Sequence, residues 1–256
     1  MKLGFVGTGA ITEAVVTGLM KSRSDISSVV VSPRSAHIAA RLTQMFPIVR
    51  VGVDNQDVVD SADVVFLAIR PQIAEEVVRE LRFREHQHVV SFVATVQIET
   101  LGSWIDVPLT ITQAIPLPFV AELRGATAIY PPNDQLAELF SSLGTAVQAN
   151  DVRQYNLFGA ASSLMATYFG LLETCARWLE AEGMSYDQAS LFLKQLFGGL
   201  SHETDASKEQ SFEAMASGFS TKGGLNEQVF KEFTENGGTK ALTLALESVL
   251  KRIEQT

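Results

Sequence analysis

In the first half of the chain, short apolar runs alternate with stretches of helical periodicity. Runs rich in β-branched and aromatic residues lie at 3–6, 29–32, 63–69, 88–94 and 109–112. Between them, as from Ile11 to Met20 and from Ser35 to Phe46, apolar residues recur three and four positions apart. Strands alternating with helices predict parallel βαβ units. The runs are apolar almost throughout, as strands covered on both faces are. A run at 125–130, a helix near Asn133 to Leu143 and a run at 145–149 are expected to finish the sheet.

From about Asp151 the period changes. Leu164, Tyr168, Leu171, Leu172, Cys175 and Leu179 recur at helical steps, and further helices are expected near Ser185–Ser201, Glu209–Ser217, Leu225–Asn236 and Lys240–Ile253. All eight prolines fall at or before Pro132, so nothing after it breaks a helix. The long helix is apolar on more than one side, unlike an ordinary surface helix. The C-terminal sequence is thin cover for it. The expected answer is a homodimer, or a larger homo-oligomer, in which two chains bury these helices together. The uncharged stretch from Gln154 to Leu172 has the length of a membrane span, but it contains Asn156, Ser162, Ser163 and Thr167 and reads as a buried helix instead.

Charge and composition narrow the function. A net charge of −9 argues against a general nucleic-acid binder, while leaving room for a local basic pocket. The lone Cys175 permits no intrachain disulfide and reads as a core thiol in a reducing compartment. His37, His86, His88 and His202 lack metal-ligand spacing, so no metal is expected, and His86 and His88 read as a solvated turn before a strand. The opening apolar run is soon broken by glycine, unlike a signal peptide. A cytoplasmic protein with a small-molecule substrate is expected.

The strongest motif is GFVGTGAITEAVVTG at 4–18, directly after the first strand. Gly7 permits a tight strand-to-helix turn. Gly9 lets a pyrophosphate approach the helix start, where free N–H groups and the helix dipole favour anions. The cradle would comprise Gly7, Thr8, Gly9, Ala10 and Ile11. Thr12 replaces the third glycine of the usual fingerprint, which is tolerable if the helix stands slightly further from the sheet. The fold expected is α/β, an N-terminal Rossmann doubly wound sheet over 1–150 and an all-α dimerisation and substrate domain over 151–256. At the end of the second strand stand Ser32, Arg34 and Ser35, and no acid occurs from Ile26 to Val53, an interval that also holds Arg41 and Arg50. Guanidinium and hydroxyl groups bind a ribose 2′-phosphate where a carboxylate would repel it, so NADP(H) is favoured over NAD(H).

Several segments together resemble the pyrroline-5-carboxylate reductases. They are GFVGTG at the start, DVVFLAIRPQ at 63–72, VVSFVATV at 89–96, GATAIY at 125–130, the long helix with Glu173, EGMS at 182–185 and STKGGLNEQ at 220–228. The resemblance implies a homodimer through the C-terminal helices and hydride transfer to the carbon of a cyclic C=N bond. It implies that Ala68, Ile69, Arg70 and Pro71, with Ala94 from the next strand, line the cofactor. It also implies that Pro116, Ser162, Ser163, Gly223, Gly224 and Leu225 contact substrate. Asn226 takes the position of a threonine near the imine, and its amide can orient an imine nitrogen but is no practical proton donor. Glu173 either pairs with an iminium or marks the helix emerging into water.

The departures lie where substrate should sit. Leu117 replaces an asparagine there, while beside the cofactor Arg70 replaces the family's lysine. ASSLMAT at 161–167 lacks that segment's glycines and proline, and KGGLN at 222–226 lacks its threonine. Altered polar groups imply altered specificity, so a related imino acid or a bulkier imine is also an expected substrate. Other readings are a catalytically silent NADP-binding regulator, a flavin- or deazaflavin-linked oxidoreductase, and a hydroxyacid dehydrogenase. No lysine lies between Asp151 and Met184 to serve the last of these.

Overall fold

The computed structural model describes residues 1–22, 25–93, 95–207 and 210–255. They form two compact units, one of Met1–Gly159 with the segment from Leu250 onward, the other of Ala160–Val249. The first unit thus runs past residue 150 and regains the end of the chain, where Arg153 and Glu254 form an ion pair at 3.3 Å.

The first unit is an eight-stranded sheet in the order β3-β2-β1-β4-β5-β6-β7-β8. Its strands are β1 (Lys2–Val6), β2 (Ser28–Val31), β3 (Val49–Val51), β4 (Val64–Leu67), β5 (His88–Ser91), β6 (Thr110–Pro116), β7 (Ala126–Tyr130) and β8 (Thr145–Gln148). The helices between them are α1 (Ala10–Lys21), α2 (Ala36–Met45), α3 (Asn55–Asp60), α4 (Pro71–Arg79), α5 (Ile98–Gly102) and α6 (Asp134–Ser141), with a 3₁₀ turn at Pro118–Glu122. β1 pairs in parallel with both β2 and β4, so the strand order reverses beside it. In such sheets ligands bind outside the carboxyl ends of the strands at that point.

The alternation of strand side chains fills two layers. Leu3, Phe5, Val29, Val31, Val64 and Phe66 pack on one face. Val6, Val30, Val65 and Leu67 pack on the other. The Phe5 and Phe66 rings stack at 4.6 Å. Gly4 faces the second layer, where an added Cβ would lie 2.8 Å from Val58 O and from Ala62 Cβ, so glycine here lets α3 press against β1.

Four features differ from the sequence expectations. β6 and β7 are antiparallel, and β6 runs on through Ile115 and Pro116, residues expected in a loop. β3 has three residues, too short a run to show a period, and α3 and α5, of six and five residues, are likewise short. Thr12 is fully buried and donates to Gly7 O at 2.6 Å, so the third fingerprint position stitches the helix to the turn rather than holding it off. The close approach of α1 falls at Gly18, whose added Cβ would meet Val120 O at 2.3 Å. His86 does occupy a turn, at φ +63°, whereas the half-buried His88 opens β5 and bonds Thr112 Oγ1 at 2.9 Å.

α7 (Val152–Ser162) joins the units. The second unit holds α8 (Leu164–Ala181), α9 (Tyr186–Ala206), α10 (Phe212–Phe219), α11 (Leu225–Glu235) and most of α12 (Gly238–Glu254). Glu209, the expected start of α10, lies outside the described residues. Ser163 separates α7 from α8, so the uncharged stretch is not one helix, and among the described residues no helix is long and apolar enough to cross a membrane. The helix expected to be buried is largely bare within the chain: Ala176 is the one buried side chain of α8, while Phe169 and Trp178 stand 62% and 63% exposed.

Candidate functional site

A cleft of about 250 Å³ opens at the carboxyl ends of β1, β2 and β4, lined by Gly7, Thr8, Gly9, Arg34, Ser35, Ala68, Ile69, Arg70 and Ile73. Its floor is built by glycine. Gly7 has φ +102°, and an added Cβ would lie 2.3 Å from Ala68 O, so no other residue fits between β1 and β4. An added Cβ at Gly9 meets nothing within 4 Å. The space beside Gly9 is therefore open, and it faces the start of α1, which has no side-chain cap. The first N–H groups of that helix, Ala10 and Ile11 among them, have no intrahelical acceptor. An uncapped helix start beside open space is a cradle for an anion, and it fits a dinucleotide's diphosphate.

Ser32 does not line the cleft. It is fully buried, its Oγ accepts from Gly7 N–H at 3.0 Å and lies 3.0 Å from Thr8 Oγ1, and Thr8 Oγ1 donates to Ser32 O at 2.6 Å. Ser32 thus holds the glycine turn in shape. Of the three arginines read as 2′-phosphate candidates, only Arg34 lines the cleft. Arg41 pairs with Glu13. Arg50 grips both Asp57 oxygens at 2.7 and 2.8 Å and reaches Ser61, and that grip holds the Asp57 carboxyl well below the usual carboxylate range. Ser35, in the left-handed region at φ 60°, starts α2, and Arg70 precedes Pro71 at the start of α4. No carboxylate is among the lining residues. Ala94 lies outside the described residues.

The positions implied for substrate are placed within their own units. Pro116 is buried at the end of β6. Ser163 Oγ donates to Ala160 O at 2.6 Å, next to Ser162 at the end of α7. Glu173 accepts from Tyr186 OH at 2.6 Å and from Arg177 Nε at 2.7 Å. These bonds, the phenol's first, lower its pKa, so it is ionised and already paired. It borders a second cavity, with Tyr168, Tyr186 and Lys194.

The turn at 221–224 departs from expectation. The N–H groups of Gly223 and Gly224 were expected to be offered to a carboxylate. Instead Gly223 N–H donates to Glu227 Oε2 at 2.6 Å and Gly224 N–H to Thr221 O at 2.7 Å. The cause is local, because Glu227 is the third residue of α11 and a glutamate there reaches back to the N–H groups before the helix. Asn226 Nδ2 donates to Phe219 O at 2.9 Å, and Leu225 is 81% exposed. Sequence reasoning passed over Glu227, although a glutamate three residues after a helix cap is a recognisable capping signal.

Comparison with known proteins finds a separate match for each half of the chain. Residues 2–95 match the family described as NADP oxidoreductase, coenzyme F420-dependent. Residues 154–256 match the pyrroline-5-carboxylate reductase dimerisation family. A pyrroline-5-carboxylate reductase of Vibrio alginolyticus is 23% identical over 264 residues, covering 99% of this chain and 97% of its own. The structure of a pyrroline-5-carboxylate reductase from Coxiella burnetii superposes with a TM-score of 0.86 at 22% identity, covering 99% of this chain and 97% of that one. A Plasmodium falciparum pyrroline carboxylate reductase solved with NADP bound gives 0.81 at 16% identity, covering 100% and 97%. Residues 154–256 thus match the pyrroline-5-carboxylate reductase dimerisation family, and the chain is similar end to end to pyrroline-5-carboxylate reductases and shares their fold.

Proposed function

We propose that this protein is an NADPH-dependent reductase of a cyclic imine, acting as a homodimer joined through its helical units. The observation that carries the cofactor half is the acid-free cleft holding Arg34 and Arg70 beside an open, uncapped helix start, in a chain of net charge −9. A bound nicotinamide supplies the hydride. The residues of this chain bind and orient. The N–H groups from Gly9 to Ile11 hold the diphosphate, Arg34, Ser35 and Arg70 hold the 2′-phosphate, and Ala68, Ile69 and Pro71 line the path beyond. The cleft is slightly smaller than the roughly 300 Å³ of an ordinary small-molecule pocket, which suits the phosphate-bearing part of a dinucleotide.

The imine half is supported by end-to-end similarity to pyrroline-5-carboxylate reductases. The residues proposed to face the imine are Pro116, Ser162, Ser163, Gly223, Gly224 and Leu225. Asn226 orients the imine nitrogen. The amide has no proton to give at neutral pH, so the nitrogen is protonated from solvent. Glu173, ionised and held by Tyr186 and Arg177, is the carboxylate whose negative charge would favour a cationic iminium. The exposed apolar faces of α8 and α9 are what a second copy covers, and the homodimer is placed in the cytoplasm.

The test titrates NADPH and NADH into the protein and its Arg34→Ala variant, then follows NADPH oxidation over a panel of cyclic imines. A charge-assisted contact to phosphate contributes about 1.5–3 kcal/mol. The variant should therefore bind NADPH about 10- to 100-fold more weakly, with NADH little changed. Equal affinity for the two coenzymes in the unaltered protein would remove the NADPH preference. Turnover of no imine while NADPH still binds would remove the reductase.

A further inference from the structure

We propose that Thr8 sets the preference for NADPH over NADH, acting through the Ser32–Pro33 peptide bond on Arg34. Thr8 is in this role a positioning residue, since its hydroxyl faces the protein interior. The proposal rests on the reading above that Arg34 meets the 2′-phosphate.

Thr8 lies in the glycine turn after β1, yet its side chain serves another loop. The residue is 2% exposed, and its hydroxyl donates to Ser32 O, 24 residues further along the chain, at 2.6 Å. A hydroxyl has one proton. With that proton committed, the 3.0 Å contact between Thr8 Oγ1 and Ser32 Oγ is a bond that Ser32 donates. Ser32 Oγ in turn accepts the Gly7 N–H at 3.0 Å. The three bonds run in one direction, from the Gly7 amide through both hydroxyls to the Ser32 carbonyl. Ser32 is fully buried, so bulk water does not compete for these groups, and bonds aligned in this way reinforce one another.

The carbonyl at the end of this relay controls where Arg34 goes. It belongs to the peptide bond that leads to Pro33, so fixing it fixes the plane of that peptide. The proline ring then locks the next φ at roughly −65°. On either side the backbone is already held: Ser32 N–H donates to Phe5 O at 3.0 Å, and Ser35 sits at φ 60° at the start of α2. Arg34 stands between these points, exposed, and among the described residues no hydrogen bond or ion pair holds its guanidinium. Its backbone is therefore what aims it. A guanidinium binds phosphate through a planar fork of N–H groups, which works only when aligned. The diphosphate, common to both coenzymes, is held at the start of α1. Arg34 serves the 2′-phosphate alone, so a displaced Arg34 loop weakens NADPH more than NADH.

The experiment measures the Kd of NADPH and of NADH by fluorescence titration of the full-length protein, unaltered and as Thr8→Val, Thr8→Ala, Thr8→Ser, Arg34→Ala and the Thr8→Val, Arg34→Ala double variant. The readout is the ratio of the two constants, which a general loss of stability does not move. Thr8→Val keeps the shape and removes the hydroxyl, so the preference for NADPH should fall about fivefold or more, a large part of what a charge-assisted contact contributes. Thr8→Ala removes the hydroxyl without placing a methyl group beside Ser32 O and should give the same fall, and melting curves show which variants are folded. Thr8→Ser keeps the hydroxyl and should restore the preference. In the Arg34→Ala protein, Thr8→Val should leave the ratio where Arg34→Ala alone puts it, because both act on one contact. A preference for NADPH that survives Thr8→Val and Thr8→Ala, one that Thr8→Ser loses equally, or a Thr8→Val effect undiminished in the Arg34→Ala protein overturns this proposal and leaves the NADPH reading standing. Equal affinity for the two coenzymes in the unaltered protein overturns both.

Discussion

The two units of this chain solve the problem of apolar surface in opposite ways. The sheet unit buries its own: both faces of β1, β2 and β4 are covered, and Phe5, Phe66, Leu42 and Phe140 are sealed from solvent. In the helical unit only Ala160, Ala176, Ala189 and Leu193 are buried hydrophobics among the described residues. Leu191 and Phe192 of α9 and Trp178 of α8 are each 63% exposed. A monomer rarely leaves so much apolar surface bare. The sheet unit therefore owes its stability to its own chain and the helical unit to association. The difference also separates what each unit offers, since the closed unit presents a preformed cleft and the open one a bare apolar surface.

The largest expected effect breaks the helical side of that contrast. Phe192→Glu places a charge on the bare face of α9 and should convert the oligomer to monomer in light scattering, while NADPH affinity stays within about twofold because the cleft lies in the other unit. A variant that remains oligomeric at the same concentrations would show that this face is not the one covered. Next in size is the paired test of the glycine turn. Gly7→Ala forces a side chain into left-handed backbone and onto Ala68 O, which should cost about 1–3 kcal/mol of stability or more, read in a melt. Gly9→Ala adds a methyl group into open space, so its melt should be unchanged while NADPH affinity falls at least about tenfold. If Gly9→Ala binds NADPH normally, the cradle is misplaced.

Two smaller effects sharpen the account of the self-contained unit. Tyr155 is 1% exposed, and its hydroxyl has no hydrogen-bond partner among the described residues. Burial raises its pKa, so it stays a neutral phenol. Tyr155→Phe removes the unsatisfied group and should be neutral or stabilising by up to about 1 kcal/mol, measured by urea unfolding. Asp57 is held ionised by Arg50, with its folded pKa below the unfolded one. Its contribution is present above the unfolded carboxylate pKa and is lost as pH falls through the lower folded value. Asp57→Asn should therefore cost about 1 kcal/mol or less near neutral pH, as exposed ion pairs do, and the cost should vanish in strong acid. A cost unchanged by acid would mean that the pair acts through packing rather than charge.

The sheet unit was the more legible of the two. Its strands carry buried side chains on both faces, so each long run stands out as continuous apolar sequence, and Gly7 and Gly9 mark the cradle directly. What escaped notice was short or non-local. β3 and α3 span too few residues to show a period, and the reversal of β7 against β6 is decided by pairing between strands. The fates of Arg41 and Arg50 were equally hidden, because each is claimed by an acid from another element, Glu13 on α1 and Asp57 on α3.

By itself the sequence determined the division into an alternating half and a proline-free helical half, the position of the glycine turn before α1 and the excess of apolar surface in the C-terminal helices. These are properties of periodicity and of glycine's backbone freedom, which act over a few residues. Only the tertiary structure decided which arginines remain available to the cleft, that Ser32 supports the turn from beneath, and that Glu227 takes the N–H of Gly223. Hydrogen-bond and charge partners are chosen by proximity in space, and a side chain's chemistry is not free to act until it is known which neighbour has already claimed it.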